Sequence, residues 1–255
     1  MAPNPLMRRR GRTVRCSGDV LKWLGFLCVC MGTCSAAVLQ RGIIHLQDYT
    51  SQSLYDILKP GGDMFGWASL AVGMSLLSAL AIPIYAKLLY EGWKHTSNRR
   101  AYLLRLLGMA VLCEIPFDLA MSGAWLDITA QNPIWSLALA VVMLEIIRQY
   151  GEKSGAAGIL VKLLVVIAAC AWAMLLRSQM GVLVVLLAAV FHFLAARKGW
   201  TLLAGIALTL LQFPAPFGML FVYWYDGTKG KAPRRLFYAL YPLQLLAFAL
   251  IAALV

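Results

Sequence analysis

Charged side chains are scarce in this chain. Only 13% of its 255 residues are Asp, Glu, Lys or Arg, whereas 61% are hydrophobic, and the mean hydropathy is +0.74. This composition excludes an ordinary soluble globular protein and predicts a membrane protein. Apolar segments extend from Val20 to Val255 and leave no room for a soluble domain. We therefore expect a basic tail at residues 1–19 and a single integral membrane domain at residues 20–255.

Histidine is equally rare, and the cysteines form no pattern. The chain has three His and six Cys, and most of the cysteines lie inside apolar runs, away from the histidines in sequence. A metal site needs several such ligands at suitable spacing. We therefore predict no metal site and no disulfide framework, and we interpret the cysteines as small apolar packing residues.

Long apolar runs, by contrast, are abundant. They predict an all-α, polytopic bundle of transmembrane helices with about seven to nine membrane segments. Two prolines within Phe213–Phe217 interrupt what would otherwise be one long helix. Residues 200–224 are therefore predicted to form a Pro-broken hairpin of two short helices, crossing or re-entrant. The other predicted spans are residues 21–39, 64–90, 101–122, 133–148, 159–177, 180–196 and 236–255.

The net charge of +12 is concentrated in particular loops. In a soluble protein it would suggest nucleic acid, but in a membrane protein Lys and Arg accumulate in cytoplasmic loops. Basic residues alternate between loops in this way, which predicts a cytoplasmic N-terminus and an external C-terminus, with no nucleic-acid partner. Membrane lipids are the expected partners of the basic tail. The tail and loop residues concerned are Arg8, Arg9, Arg10, Arg12, Arg15, Lys94, Arg99, Arg100, Arg148, Lys153, Arg197, Lys198, Lys229, Lys231, Arg234 and Arg235.

Two acidic residues interrupt the third span. Glu114 and Asp118 are four residues apart, so they share one helical face, and Pro116 lies between them. Carboxylates at membrane depth are costly and commonly mark a functional cavity. Two alternatives remain open. The acids can hold the bundle together through ion pairs, or they can share a proton, as in a general base or a proton-coupled carrier. The ion-pair partners considered are Arg105, Lys162 and Arg177.

A cationic rim precedes this span. Lys94, His95, Arg99 and Arg100 lie in one loop and would attract an anionic group such as a phosphate. Topology alone accounts for the Lys and Arg residues but not for His95.

Several segments from about residue 21 onward form a recognisable pattern. They are Glu91-Gly92-Trp93-Lys94-His95-Thr96-Ser97-Asn98, Tyr102 to Leu107, Glu114 to Ala120, Asn132, Tyr225-Asp226-Gly227-Thr228-Lys229-Gly230, Tyr238 and Tyr241-Pro242-Leu243. Together they resemble the hallmark region of the TraX family, which includes the membrane acetylase of the F-pilin N-terminus, and the resemblance covers most of the chain.

The resemblance implies acyl transfer in a bacterial cytoplasmic (inner) membrane. The donor would be acetyl-CoA, and the acceptor an amine, such as a pilin-like N-terminus, or a hydroxyl. In this interpretation His95, Glu114 and Asp118 are the catalytic candidates. The candidates for binding substrate or donor are Glu91, Lys94, Asn98, Arg99, Arg100 and Asn132.

The chain departs from the family pattern at polar positions. Met31-Gly32-Thr33-Cys34 replaces an Asp-His pair, Ala79 replaces an Arg, and Gln244 replaces a His after Tyr-Pro-Leu. Two hypotheses follow: a divergent acyltransferase that works with the retained His95, Glu114 and Asp118, or a catalytically degenerate scaffold, partner or carrier on the same fold.

Overall fold

The computed structural model describes residues 16–50, 53, 56, 59–150 and 155–255. Within these ranges the chain is helical, and the extended pairing is confined to two isolated bridges, Cys16 with Tyr225 and Gln131 with Ser178. The predicted basic residues Arg8 to Arg15 and Lys153 lie outside the described residues.

The helices are α1 (Gly18–Thr33, continued by a π-helix at Cys34–Ile43), a 3₁₀ turn (Leu46–Asp48), α2 (Phe65–Ser78), α3 (Ala81–His95), α4 (Arg99–Met121), α5 (Ile134–Tyr150), α6 (Ala156–Leu175), α7 (Gly181–Phe193), α8 (Lys198–Thr209), a 3₁₀ turn (Leu210–Gln212), α9 (Ala215–Trp224) and α10 (Arg234–Leu254).

Four helical stretches of the described chain are long and apolar enough to cross a membrane. They are Gly18–Ile43, Phe65–His95, Ala156–Leu175 and Arg235–Leu254, with mean hydropathies of 1.6, 1.8, 2.4 and 1.9. Little of their surface is buried within the protein; Ala156–Leu175, for example, is only 17% buried. Exposed apolar faces of this size are unfavourable in water and favourable in lipid.

Small residues bring the central helices close together. Ala86 of α3, Ala110 of α4, Ala140 of α5 and Ala188 of α7 are fully buried. Residues without long side chains let helix backbones approach, which is the usual basis of helix packing in membranes. As a result α3 packs against α1, α7 and α9, and α10 lies along α4.

The helices α8 and α9 form the region that the two prolines interrupt. The chain turns between them at a cis Phe213–Pro214 peptide bond. A Cβ on Gly218 would lie 2.6 Å from the carbonyl oxygen of Leu80, and one on Gly205 would lie 2.2 Å from the Met219 methyl carbon. Glycine at these two positions therefore lets α9 pack directly against α8 and against the junction of α2 and α3.

The bundle has two ends, which we name after one residue at each. At the His95 end, α3, α5, α7 and α9 terminate and α4, α6, α8 and α10 begin. At the Asn132 end, α4 and α6 terminate and α5 and α7 begin. The N-terminus of α1 is fixed to the His95 end, because the Asp19 carboxylate accepts bonds from the backbone N–H groups of Lys231 and Ala232 at 2.5 and 3.1 Å.

Candidate functional site

A polar pocket of about 250 Å³ lies at the His95 end. The last two turns of α3 form one wall, the start of α8 forms another, and the loop after α9 closes it. Two segments that carry the family resemblance meet here although they are more than a hundred residues apart in sequence. The polar and charged side chains among its lining residues are Lys87, Tyr90, Glu91, Lys94, Lys198, Thr201, Tyr223, Tyr225 and Asp226.

Three side chains on one face of α3 contact one another in a continuous row beside this pocket. Glu91 Oε1 lies 2.6 Å from Lys87 Nζ, and Glu91 Oε2 lies 3.1 Å from His95 Nε2. The residues are four apart, so consecutive helical turns bring them into line. The His95 side chain is 67% exposed, whereas that of Glu91 is 16% exposed. A largely buried carboxylate thus orients an accessible imidazole, an arrangement suited to a general base.

Aromatic rings surround the Lys87 ammonium. Its Nζ lies 5.2 Å from the ring centre of Tyr90, 5.4 Å from that of Phe191 and 6.0 Å from that of Tyr225. The ring faces and the Glu91 carboxylate both attract the ammonium group at this position. Burial raises the pKa of Tyr225 to about 12, and the charges of Glu91 and Asp226 add to the effect. The Tyr225 phenol therefore remains a neutral hydroxyl at physiological pH.

The other predicted binding residues at this end have varied surroundings. Lys94 lines the pocket and Arg100 is exposed. Arg99 instead packs its guanidinium 5.3 Å from the Trp93 ring centre, with Nε 3.7 Å from Glu145 Oε2. Asn98 caps α4, because its Oδ1 accepts a 2.9 Å bond from the Ala101 backbone N–H.

The Glu-Gly-Trp part of the motif has a packing explanation. A Cβ on Gly92 would lie 2.8 Å from the Tyr102 hydroxyl, so α4 approaches α3 closely only if residue 92 is glycine. Trp93 is 5% exposed and donates from Nε1 to Glu145 Oε2 at 3.4 Å. Gly92 and Trp93 therefore hold α3 in place, while Glu91, Lys94 and His95 point toward the pocket end of the bundle.

The remaining predicted residues form a second polar group at the Asn132 end. The Glu114 Oε2 atom accepts bonds from Asn132 Nδ2 and, at 2.8 Å, from Trp135 Nε1. Asn132 is fully buried and also donates to the Ala110 carbonyl at 2.8 Å. Asp118 is 1% exposed, and its Oδ2 accepts a 2.9 Å bond from the Asp127 N–H. This network joins α4 to the start of α5.

Neither acid forms an ion pair within the described ranges, so the alternative in which they pair with Arg105, Lys162 or Arg177 is not found there. Each acid keeps one buried oxygen without a hydrogen-bond partner, Glu114 Oε1 and Asp118 Oδ1. The two acids are also remote from His95. They lie 15 and 19 residues beyond Arg99 along α4, which corresponds to about 22 and 28 Å of helix. The nine predicted site residues thus fall into two separate groups.

A third region, a large cavity of about 690 Å³, lies between α1, α2, α4, α7 and α10. Thr33 and Ala79, two of the positions at which the chain departs from the family pattern, line it. Gln244, a third such position, donates from Nε2 to Thr33 Oγ1 at 3.4 Å. The three departures are distant in sequence, and the fold brings them together.

Sequence reasoning missed Lys87 and Lys198 as pocket residues. Lys87 could have been found, because the spacing Lys87, Glu91, His95 repeats every four residues and so lies along one helical face. Lys198 carried no comparable signal, since a basic residue at the start of a helix is also what topology predicts.

These features define a helical protein with membrane-length apolar helices and a lysine-containing pocket at one end of the bundle. The model of the family described as TraX protein matches residues 17–252, nearly the whole chain, and the protein belongs to this family. No curated protein and no solved structure matches the chain.

Proposed function

We propose that this chain is an integral membrane acyltransferase that uses the pocket at the His95 end to transfer acetyl from acetyl-CoA to an amine or hydroxyl acceptor. One observation carries the proposal: residues of the Glu91–Lys94 and Tyr225–Gly227 segments line one pocket with lysines, and Glu91, which lines it, also orients the exposed His95 beside it. A pilin-like or other membrane-associated protein is the proposed acceptor.

Lysines supply the charge that a CoA donor requires. Lys94 and Lys198 line the pocket from two different helices, and Arg100 is exposed at the start of α4. Phosphate groups bind such ammonium and guanidinium groups through charge-assisted hydrogen bonds. The donor phosphates are therefore assigned to this rim, with the thioester directed toward Lys87 and His95.

The reaction needs a base and a group that stabilises negative charge. His95 accepts the proton of the acceptor amine or hydroxyl as that atom attacks the thioester carbonyl carbon. The Lys87 ammonium stabilises the resulting oxyanion. When the tetrahedral intermediate collapses, the carbon–sulfur bond breaks, and the CoA thiolate takes the proton back from His95. Glu91 holds the Lys87 and His95 side chains in place throughout.

Glu114, Asp118 and Asn132 have a different part in this proposal. Glu114 lies about 22 Å along α4 from Arg99, which is at the His95 end. A substrate atom in contact with His95 therefore cannot also touch Glu114. We assign these three residues to the connection between α4 and α5 rather than to the reacting atoms.

The proposed setting is the bacterial cytoplasmic membrane. Residues 20–255 form one multi-pass domain of seven to nine membrane segments, in which α8 and α9 are a hairpin that enters and leaves on the cytoplasmic side. The N-terminus and the His95 end face the cytoplasm, where acetyl-CoA is available, and the basic tail at residues 1–19 contacts anionic lipid.

The test is transfer of labelled acetyl from acetyl-CoA to protein in membranes that express the chain. His95→Asn should abolish the label, and Lys198→Gln should raise the KM for acetyl-CoA more than it lowers kcat. The matched controls at the Asn132 end, His45→Asn and Lys59→Gln, should match the wild-type chain. Unchanged acetyl transfer in His95→Asn would show that His95 is not the base, and an unchanged KM in Lys198→Gln would show that the pocket does not bind acetyl-CoA.

A second candidate function is a non-catalytic membrane partner or carrier. It is supported by the convergence of Thr33, Ala79 and Gln244 at one cavity. By the family resemblance, Ala79 and Gln244 replace an Arg and a His, and Thr33 belongs to the segment Met31–Cys34 that replaces an Asp-His pair. Under this alternative, membranes containing the chain would transfer no label above empty membranes, yet a binding partner would still be recovered with the intact chain.

A further inference from the structure

The 690 Å³ cavity belongs to neither polar group, and its position restricts what can fill it. Val29 and Thr33 on one side and Ser75 and Ile82 on the other lie within two of the membrane-length helical stretches. At such a depth the surrounding solvent is lipid rather than water.

The lining of the cavity is uncharged. None of the described residues that line it is Asp, Glu, Lys, Arg or His. Three of its hydroxyl groups are already occupied: Thr33 Oγ1 donates to the Val29 carbonyl at 3.0 Å, Ser78 Oγ donates to the Ser75 carbonyl at 2.7 Å, and Ser75 Oγ is 2.8 Å from Ser35 Oγ. Gln179, Gln212 and Tyr241 are the other polar side chains of the lining, and most of the lining residues are apolar.

Water is a poor occupant for the same reason. The volume would hold more than about twenty molecules at roughly 30 Å³ each, and every ordered water needs two to four polar partners. An apolar occupant of the size of a ligand chain fits the cavity, which lies within the range of about 300 to 1,000 Å³ that is typical of ligand pockets.

The cavity reaches the exposed surface at the turn between α8 and α9. Leu211 in this turn lines the cavity and is 98% exposed. Phe213, two residues further on, is 62% exposed. These two apolar side chains give an apolar chain a route of entry beside Gln212, while a charged headgroup stays outside the uncharged lining.

We propose that the cavity between α1, α2, α4, α7 and α10 binds one acyl chain of a membrane phospholipid, which enters past Leu211. The site is independent of the proposed acyl transfer, since no residue of the His95-end pocket lines it. Its ligand is held by apolar contact and not by recognition of the headgroup.

The test uses the full chain in phosphatidylcholine vesicles that contain a phosphatidylcholine probe with a photoreactive diazirine in the middle of one acyl chain. After irradiation, labelled peptides are mapped by mass spectrometry. We expect labelling of peptides around Ser75–Ile82 and Leu208–Gln212 that saturates with probe concentration. Annular contacts on the exposed face of α6, for example at Ile159 and Ile167, should rise in proportion to the probe instead.

Filling the cavity supplies the matched comparison. Ala36 lines the cavity, whereas Ala168 is exposed on α6 away from it. Ala36→Phe should reduce the saturable labelling by at least about fivefold, because the ring occupies the space of the chain, and Ala168→Phe should leave it unchanged. If Ala36→Phe does not give a monodisperse protein, Val182→Trp, at another wall of the cavity, replaces it.

Three results would overturn the proposal. The first is labelling of the cavity peptides that does not saturate or that persists in the filled variants. The second is labelling by a diazirine free fatty acid but not by the phospholipid probe. The third is rapid modification of Ser78→Cys by a water-soluble thiol reagent, above the background of the native cysteines, because this would show a water-filled cavity.

Discussion

At the scale of single residues, Glu114 illustrates how a carboxylate is tolerated deep in the bundle. Its Oε2 accepts bonds from Asn132 and Trp135, so both neutral donors depend on it. Glu114→Gln retains an acceptor oxygen and should change stability little. Glu114→Leu should lower the free energy of unfolding by about 1–3 kcal/mol, since the buried Asn132 donor loses a partner, and the partly exposed Trp135 donor adds a smaller cost.

The measurement for Glu114 is the thermal unfolding midpoint of the purified chain in detergent, with both variants prepared in parallel. An equal decrease in the unfolding midpoint for Glu114→Gln and Glu114→Leu would contradict the explanation by hydrogen bonding. In the acyltransfer assay, Glu114→Gln should remain active, because the side chain lies far from His95.

Asn98 is predicted to bind substrate or donor, but its observed contact is with the backbone at the start of α4. Its side chain caps α4, so Asn98→Ala should cost about 1 kcal/mol of stability, and Asn98→Asp should cost much less. The same thermal unfolding measurement checks this. If Asn98 also binds the donor, Asn98→Asp will raise the KM for acetyl-CoA although stability is kept, and that result would add a binding role to the cap.

At the scale of elements, the attachment of α1 to the loop before α10 depends on glycine. Gly230 has φ +75°, and a Cβ there would lie 2.1 Å from Asp19 Oδ1. Gly227 in the same loop has φ +83°, but a Cβ there meets nothing within 4 Å. Alanine at either position should lower the free energy of unfolding by about 1–2 kcal/mol, because a residue with a Cβ is strained in the left-handed backbone conformation. Only Gly230→Ala also displaces the Asp19 carboxylate.

We therefore expect Gly230→Ala to lower the unfolding midpoint more than Gly227→Ala and to expose the chain near residue 19 to protease. Asp19→Asn should reproduce part of this effect, because a neutral amide accepts the Lys231 and Ala232 N–H bonds less strongly than a carboxylate. Equal behaviour of the two glycine variants would show that the attachment does not hold α1.

Also at the scale of elements, periodicity and apolar length predicted most of the helices but not their contacts. The run at 101–122 is found as α4, Arg99–Met121, and the run at 64–90 is found as two helices, α2 and α3, that break after Ser78. Pro83 lies in the first turn of α3 and is the local signal for this break, because a proline lacks the N–H that would bond the Ala79 carbonyl in a continuous helix. Likewise, Glu114 and Asp118 were recognisable as unusual, but their separation from His95 is a consequence of the length of α4, which only the assembled helices make plain.

At the scale of the whole molecule, charge distribution predicts orientation. The described basic residues at the His95 end far outnumber those at the Asn132 end, where Arg41, Lys59 and Arg177 lie. The residues at the His95 end are Lys94, Arg99, Arg100, Arg148, Arg197, Lys198, Lys229, Lys231 and Arg235. Because Lys and Arg in short loops remain on the cytoplasmic side, the His95 end should face the cytoplasm.

This orientation can be measured with reporters fused to the intact chain. Since α10 begins at the His95 end and runs to Leu254, a C-terminal alkaline phosphatase should be active and a C-terminal green fluorescent protein dark. The same reporters placed after Lys229 should give the opposite pattern, which provides the internal control. A fluorescent C-terminus would show that the bundle has the opposite orientation, with the lysine-containing pocket on the outside of the membrane, where acetyl-CoA is absent. The proposed acyltransferase would then lose its donor, whereas the acyl-chain cavity, which depends only on membrane depth, would be unaffected.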